Sequence, residues 1–216
     1  MLGANITDME FDRLRRFFEQ ASGIRLGDGK RELVCGRLAK RLRQLALNSY
    51  RDYIAYIEQP DHAEERQQAI DLLTTNETHF FREPRHFDFL RQDIQARLRR
   101  GDRGAVRIWS AACSTGEEPY TIAITLLEAG HTRFRLVASA LSSRALAQAS
   151  SGVYRLDRVS SVPRPVLKKY FERGLGEQDG LARVAPSVRR LVQFQQLNLL
   201  EVGICSALST SSSAAT

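Results

Sequence analysis

Apolar residues in the first third of the chain recur at helical spacing. Phe11, Leu14 and Phe18 form one stripe, opened by the capping-box pattern Thr7-x-x-Glu10 and closed by Gly23. Val34, Leu38, Leu42 and Leu45 follow at i, i+4, i+8 and i+11, which predicts a second helix. A third is predicted from about 49 to 58, with Tyr53, Tyr56 and Ile57 inward and Pro60 as its stop. A fourth is predicted over about 62 to 73, completing a small helical bundle. The pattern then changes. After a helix near 84 to 100 and the break GDRG, short apolar runs at 106 to 112 and 134 to 139 flank an amphipathic helix at 118 to 129. That order predicts a strand-helix-strand unit of a doubly wound parallel sheet.

The junction inside this unit carries the strongest chemical signal. In IWSAACSTGEEPYTIAITL, residues 108 to 126, a buried strand runs into Ser114, Thr115 and Gly116, and Glu117 and Glu118 open the helix. Such a turn holds a polar ligand at a helix N-terminus. The spacing Ser114-x-x-Glu117 is also a capping box, so a well-capped helix without a ligand is an equal alternative at this point.

Composition narrows the class. At 216 residues and 43% hydrophobic, the chain has the length of one large or two modest domains and enough apolar mass for a core. No apolar run approaches the roughly 18 residues of a membrane span, so no membrane insertion is expected. The start, MLGANITDME, lacks a signal pattern, so a cytoplasmic location is expected. Cys35, Cys113 and Cys205 are odd in number and lack metal-ligand spacing, so they read as plain thiols and no metal site is expected. Cys113 reads as a small buried hydrophobe.

Charge is placed unevenly. Residues 30 to 43, KRELVCGRLAKRLR, hold six basic residues and one acid, and so contribute five of the chain's net +7 charges. Arg37, Lys40 and Arg41 share one face of that helix. The face is either solvated charge or a docking surface for an acidic partner or a phosphate backbone. Nucleic acid is not expected, because no recognition motif or run of stacking aromatics accompanies the charge.

A second segment, TTNETHFFREP at 74 to 84, together with STGEEPY resembles the CheR family of chemotaxis receptor glutamate O-methyltransferases. The likeness extends through GIRLGDGKRELVCGRLAKRLRQLALNSYRDY, ASALSSRALAQASSGVY and VQFQQLNLL, and so covers about residues 8 to 201. It implies an α/β protein: an N-terminal all-α domain (1–77), then an incomplete doubly wound S-adenosylmethionine-dependent methyltransferase domain (78–201). A small inserted β-subdomain is expected at about 155–190, where residues 160 to 187 are rich in Pro and Gly, followed by a core strand at 191 to 197. The implied reaction moves a methyl group from S-adenosylmethionine to a receptor glutamate, leaving S-adenosylhomocysteine. The implied partner is the cytoplasmic region of methyl-accepting chemoreceptors, docked on the basic helix through Arg37, Lys40 and Arg41, and a monomer is expected.

By the same resemblance Asn76, Thr78 and Arg82 reach the cofactor or the incoming carboxylate, with Arg82 the catalytic candidate because a guanidinium suits that group. Glu118 is implied near the cofactor's amino-acid part or sulfonium, and Asn198 and Leu199 at its adenine. Taken without the resemblance, Asn76 and Thr78 read as turn or cap residues, and Arg82 as a surface partner of Glu77 or Glu83.

Two features depart from the family pattern. Relatives carry an acid in an ASD-like sequence after the second strand, where this chain reads Ala138, Ser139, Ala140. In nucleoside-binding sheets that acid accepts from the ribose hydroxyls, and its loss is expected to weaken cofactor binding about 10- to 1000-fold, with Ser139 and Ser142 recovering part. Relatives also continue after NLL into a CRNVLIYF-like strand, whereas this chain reads EVGICSALSTSSSAAT. Residues 202–216 are expected to be an aberrant disordered tail. Codons for ICSALSTSSSAA can be written that, shifted by two bases, encode LLRPFDVIFCRN, so a frameshift between Leu200 and Ile204 is expected, to be checked on the coding DNA. Little or no methyltransferase activity follows from both departures, with the first sheet strand left as an edge. An active enzyme, a receptor-binding or regulatory non-catalytic fragment, and a product without a role all stay open.

Overall fold

The computed structural model describes residues 6–200. The expected tail, with Cys205 and the proposed frameshift site, lies outside the described residues or at their limit. Chain contacts divide the protein into two compact units. One holds the segment up to Thr75 together with Leu197 onward, and the other spans Asn76–Gln196.

The first unit is the predicted bundle. Helix α1 (Asp8–Ser22) has the full Thr7/Glu10 capping box and ends at Gly23, whose φ of 73° is the left-handed conformation that glycine adopts without strain. Helix α2 (Arg31–Gln44) buries Val34, Leu38 and Leu42; Leu45 caps its end and is only half-buried. Helix α3 (Tyr50–Glu58), capped by Ser49, buries Tyr53 and Ile57 as expected and also Tyr50 and Ile54. Tyr56 is only half-buried, because its ring stacks on His62 at 3.6 Å between centroids. Helix α4 (Ala63–Leu73) closes the bundle. The short segment from Leu197 belongs here by contact: Asn198 Nδ2 donates to Ala21 O at 2.9 Å, and Leu200 lies against Gly23. The family resemblance counts the same segment with the methyltransferase domain.

The second unit begins with an extended stretch and helix α5 (Pro84–Arg99), started by Pro84 at its first position. Strands β1 (Val106–Ser110), β2 (Phe134–Ala140) and β6 (Val192–Gln196) form a parallel sheet in the order β1-β2-β6. Among the described residues β1 is an edge. Helix α6 (Glu117–Glu128) connects β1 to β2, and Tyr120, Ala123 and Ile124 pack with Leu136 and Ala138 of the sheet. Helix α7 (Ser143–Ser151) follows β2, its first turn capped by the Ser142 hydroxyl.

The β-subdomain is present and starts slightly earlier than expected. Strands β3 (Val153–Arg155), β5 (Leu181–Val184) and β4 (Phe171–Arg173) form a small antiparallel sheet in the order β3-β5-β4. A 3-10 turn (Leu156–Val159) and helix α8 (Arg164–Tyr170) lie between β3 and β4, and a short helix α9 (Pro186–Arg189) leads into β6. Phe80, Tyr154 and Phe171 meet edge to face under this sheet, so its core is continuous with that of the parallel sheet.

Candidate functional site

The carboxyl end of β1 gathers the polar groups of the second unit. The chain turns through Ser114 and Gly116, both at positive φ (48° and 96°), and Gly116 is the residue from which α6 departs. Only glycine fits: a Cβ at Gly116 would lie 2.8 Å from Ala149 Cβ and 3.0 Å from the Tyr154 hydroxyl. The anticipated Ser114/Glu117 capping box does not form, because the helix starts one residue after Gly116 and no side chain caps it. The Ser114 hydroxyl instead donates to Asn76 Oδ1 at 3.4 Å. That contact brings the two sequence motifs, 74 to 84 and 114 to 120, to one place.

The two glutamates after the glycine have opposite surroundings. Glu117 is fully buried; its carboxylate accepts from the Thr115 hydroxyl at 2.6 Å and from Arg158 Nη2 at 2.7 Å. Glu118 is exposed, with one oxygen accepting from the Ser110 hydroxyl at 2.7 Å, which leaves a carboxylate aligned at the strand end and open to solvent. Sequence reasoning saw the pair of acids but not the division between them, since the partner of the buried one, Arg158, lies 41 residues away.

The upstream segment is held at several points. Arg158 Nη2 also donates to Thr78 O at 2.6 Å, the Ser161 hydroxyl to Phe80 O at 3.1 Å, and Phe81 N to the Thr121 hydroxyl at 3.3 Å. Thr78 and Asn76 are half-buried. Arg82 is exposed and donates to the backbone oxygen of Glu77 at 3.1 Å, rather than pairing with a carboxylate. Asn76, Thr78, Arg82 and Glu118 therefore belong to one unit, whereas Asn198 and Leu199 belong to the helical one.

At the end of β2 the character changes. Ala138 is fully buried and Ala140 is 7% exposed, with no side-chain acceptor at either position. The compensation expected of the serines is not available. Ser139 is fully buried, its hydroxyl accepting from Trp109 Nε1 at 2.9 Å and donating to Ala111 O at 3.3 Å, and the Ser142 hydroxyl accepts from Ala145 N at 3.0 Å as the α7 cap. Burial pushes the Cys113 thiol up to about 12 and the Tyr120 phenol likewise to about 12, so Cys113 is an inert filler of the turn, as expected.

The docking residues on α2 divide in the same way. Arg37 Nη1 donates to Leu72 O, Leu73 O and Thr74 O, at 3.0, 3.3 and 3.3 Å, satisfying the last carbonyls of α4. Arg41 forms a bidentate pair with buried Glu65, which also accepts from the Tyr53 hydroxyl at 2.9 Å. Two of the three cations expected to be spare thus have work within the bundle, and Lys40 is exposed.

A parallel sheet whose first strand ends in a glycine turn and an open carboxylate defines a nucleoside-binding α/β domain. The donor set suits S-adenosylmethionine only in part: the open Glu118 carboxylate is chemically suited to a cation such as a sulfonium or ammonium, and Ala140 offers no acceptor to a hydroxyl. The chain matches the family model "CheR methyltransferase, SAM binding domain" over residues 76–207 and "CheR methyltransferase, all-alpha domain" over residues 9–74. It is 42% identical over 199 residues to a chemotaxis protein methyltransferase of Salmonella typhimurium, covering 91% of this chain and 67% of that protein. It is likewise 42% identical over 198 residues to chemotaxis protein methyltransferase 2 of Pseudomonas aeruginosa, covering 90% and 69%, and 34% identical over 209 residues to one from Borreliella burgdorferi, covering 93% and 73%. The protein belongs to the CheR methyltransferase family, in which S-adenosylmethionine is the methyl donor. No helix among the described residues is long and apolar enough to cross a membrane.

Proposed function

We propose that this chain is a protein-glutamate O-methyltransferase acting on the cytoplasmic region of methyl-accepting chemoreceptors, with a cofactor hold weakened at the ribose. The observation that carries the reading is the contact between Ser114 and Asn76, which gathers both motifs around exposed Glu118. A receptor glutamate has a reference pKa near ~4.3 and is ionised at neutral pH, so no general base is required. When bound, S-adenosylmethionine supplies an electrophilic methyl group on a sulfonium. The protein's tasks are orientation, charge balance and exclusion of water. Glu118 offsets the cofactor's positive charge, Asn76 and Thr78 border it, and exposed Arg82 receives and aligns the substrate carboxylate. The protein works as a monomer in the cytoplasm.

A second reading, a non-catalytic receptor-binding or regulatory fragment, is favoured by Ala140, which gives the ribose no charged acceptor. Calorimetry with S-adenosylhomocysteine, followed by methyl-label transfer to a receptor cytoplasmic region, separates the two. Binding with label transfer supports the enzyme. Receptor capture without cofactor binding supports the fragment, and absence of both removes both readings. Docking is best tested at Lys40, since Lys40→Glu changes surface charge alone, whereas reversing Arg41 strands Glu65 and is expected to cost about 3–5 kcal/mol of stability.

A further inference from the structure

One guanidinium joins three separate parts of the second unit. Arg158 belongs to the 3-10 turn after β3, inside the antiparallel subdomain. Its Nη2 reaches the fully buried Glu117 carboxylate at the start of α6 and the backbone oxygen of Thr78 in the upstream segment. The same subdomain places two further hydroxyls alongside: Tyr154 donates to Thr115 O at 2.8 Å, and Ser161 to Phe80 O at 3.1 Å. Each of these donors comes from the inserted subdomain, and each acceptor lies in one of the two motifs that make the site.

A fully buried carboxylate is costly unless paired, so Glu117 is a strong anchor for a cation at this position. The anchor's position is itself fixed, because Gly116 admits no side chain and the Thr115 hydroxyl binds the second carboxylate oxygen. Arg158, 42% exposed along its side chain, is thus held at its charged end, and the same Nη2 that meets Glu117 also donates to Thr78 O. The Asn76–Arg82 stretch has no regular secondary structure of its own. Its two backbone amides with partners in the second unit are Phe81 N, on the Thr121 hydroxyl, and Arg82 N, on His79 O at 3.4 Å. Asn76 is tied to Ser114 and Phe80 is anchored in the core, whereas Thr78 between them is tied through Arg158.

We infer that Arg158 is a positioning residue for the cofactor site: it fastens the segment carrying Asn76, Thr78 and Arg82 to buried Glu117, so that the small antiparallel sheet sets the geometry of a site it does not itself line. The cofactor part of this inference rests on the function proposed above; the fastening does not.

The test compares the 216-residue chain with its Arg158→Lys and Arg158→Met variants and with the double variant Glu117→Gln/Arg158→Met, which removes the pair without stranding a buried charge. Amide hydrogen exchange is read at Phe81 and Arg82 without ligand, with α7 as the internal reference, and S-adenosylhomocysteine affinity is read by calorimetry. In Arg158→Met and in the double variant, exchange at Phe81 and Arg82 is expected to rise about tenfold while α7 is unchanged, and affinity to fall about tenfold. Arg158→Lys, which keeps the charge and a donor, is expected to restore most of both. Unaltered exchange at Phe81 and Arg82 in the double variant overturns the inference, as does an equal rise in α7, which marks general destabilisation. If the unsubstituted chain fails to bind S-adenosylhomocysteine, the cofactor reading falls, and the exchange data alone decide the role of Arg158.

Discussion

The carboxyl ends of β1 and β2 are neighbours in one parallel sheet, yet they differ sharply in chemistry. The β1 end carries Ser110, the glycine turn, a buried glutamate with its arginine and an open glutamate with its serine. The β2 end carries Ala138 and Ala140, and its serine hydroxyls are engaged by Trp109, Ala111 and the first turn of α7. In a nucleoside-binding sheet the first end serves the charged part of the ligand and the second its sugar. Among its described residues this protein has charged groups at the first end and none at the second. Two adjacent strand ends of one sheet can therefore offer a ligand very different chemistry.

The largest test of that contrast is Ala140→Asp. It is expected to raise S-adenosylhomocysteine affinity about 10- to 1000-fold in calorimetry, while lowering the stability of the ligand-free chain by about 1–3 kcal/mol through a nearly buried carboxylate without a partner. Unchanged affinity would break the comparison. Next is Gly116→Ala, expected to cost about 3 kcal/mol in urea unfolding, because φ is 96° and the new Cβ would meet Ala149. A loss below about 0.5 kcal/mol would show that the turn tolerates other backbone conformations. Glu118→Gln is expected to weaken cofactor affinity about tenfold with stability unchanged, as befits an exposed carboxylate. Equal losses of affinity and stability would place Glu118 with Glu117 as a structural acid.

The smallest effect is alkaline. The folded chain keeps the Cys113 proton up to about pH 12, while an unfolded thiol releases it near ~8.5. Above that lower value the unfolded state binds fewer protons, so stability falls as pH rises, by at most about 1 kcal/mol at pH 9 from this group. Cys113→Ala should flatten that part of a urea-midpoint profile. A profile rising through the same window would contradict the buried thiol.

The helical unit was legible almost residue by residue, because stripe, cap and stop signals are local: Thr7, Glu10, Phe11, Leu14, Phe18 and Gly23 all act within one helix. The parallel strands and the inserted sheet were legible to within a few residues, the former from apolar runs and the latter from family likeness. What escaped was non-local. Nothing in the basic run predicts that Arg37 closes the end of α4 or that Arg41 answers Glu65, since the partners lie 35 to 37 and 24 residues away. The Ser114/Glu117 spacing fitted a capping box, but a left-handed glycine between them moved the helix start and freed the acid for Arg158. Ser139 and Ser142 looked available for a ligand because their partners, Trp109 and the α7 amides, are set by folding.

Trp109 is the chain's single tryptophan, and its indole N–H is tied to Ser139, one residue before Ala140. Nature has put an optical probe beside the very spot where the sugar's anchor is missing. Its emission wavelength and intensity should respond whenever that hydrogen bond is strained or replaced, giving an intrinsic, label-free gauge of events at the β2 terminus.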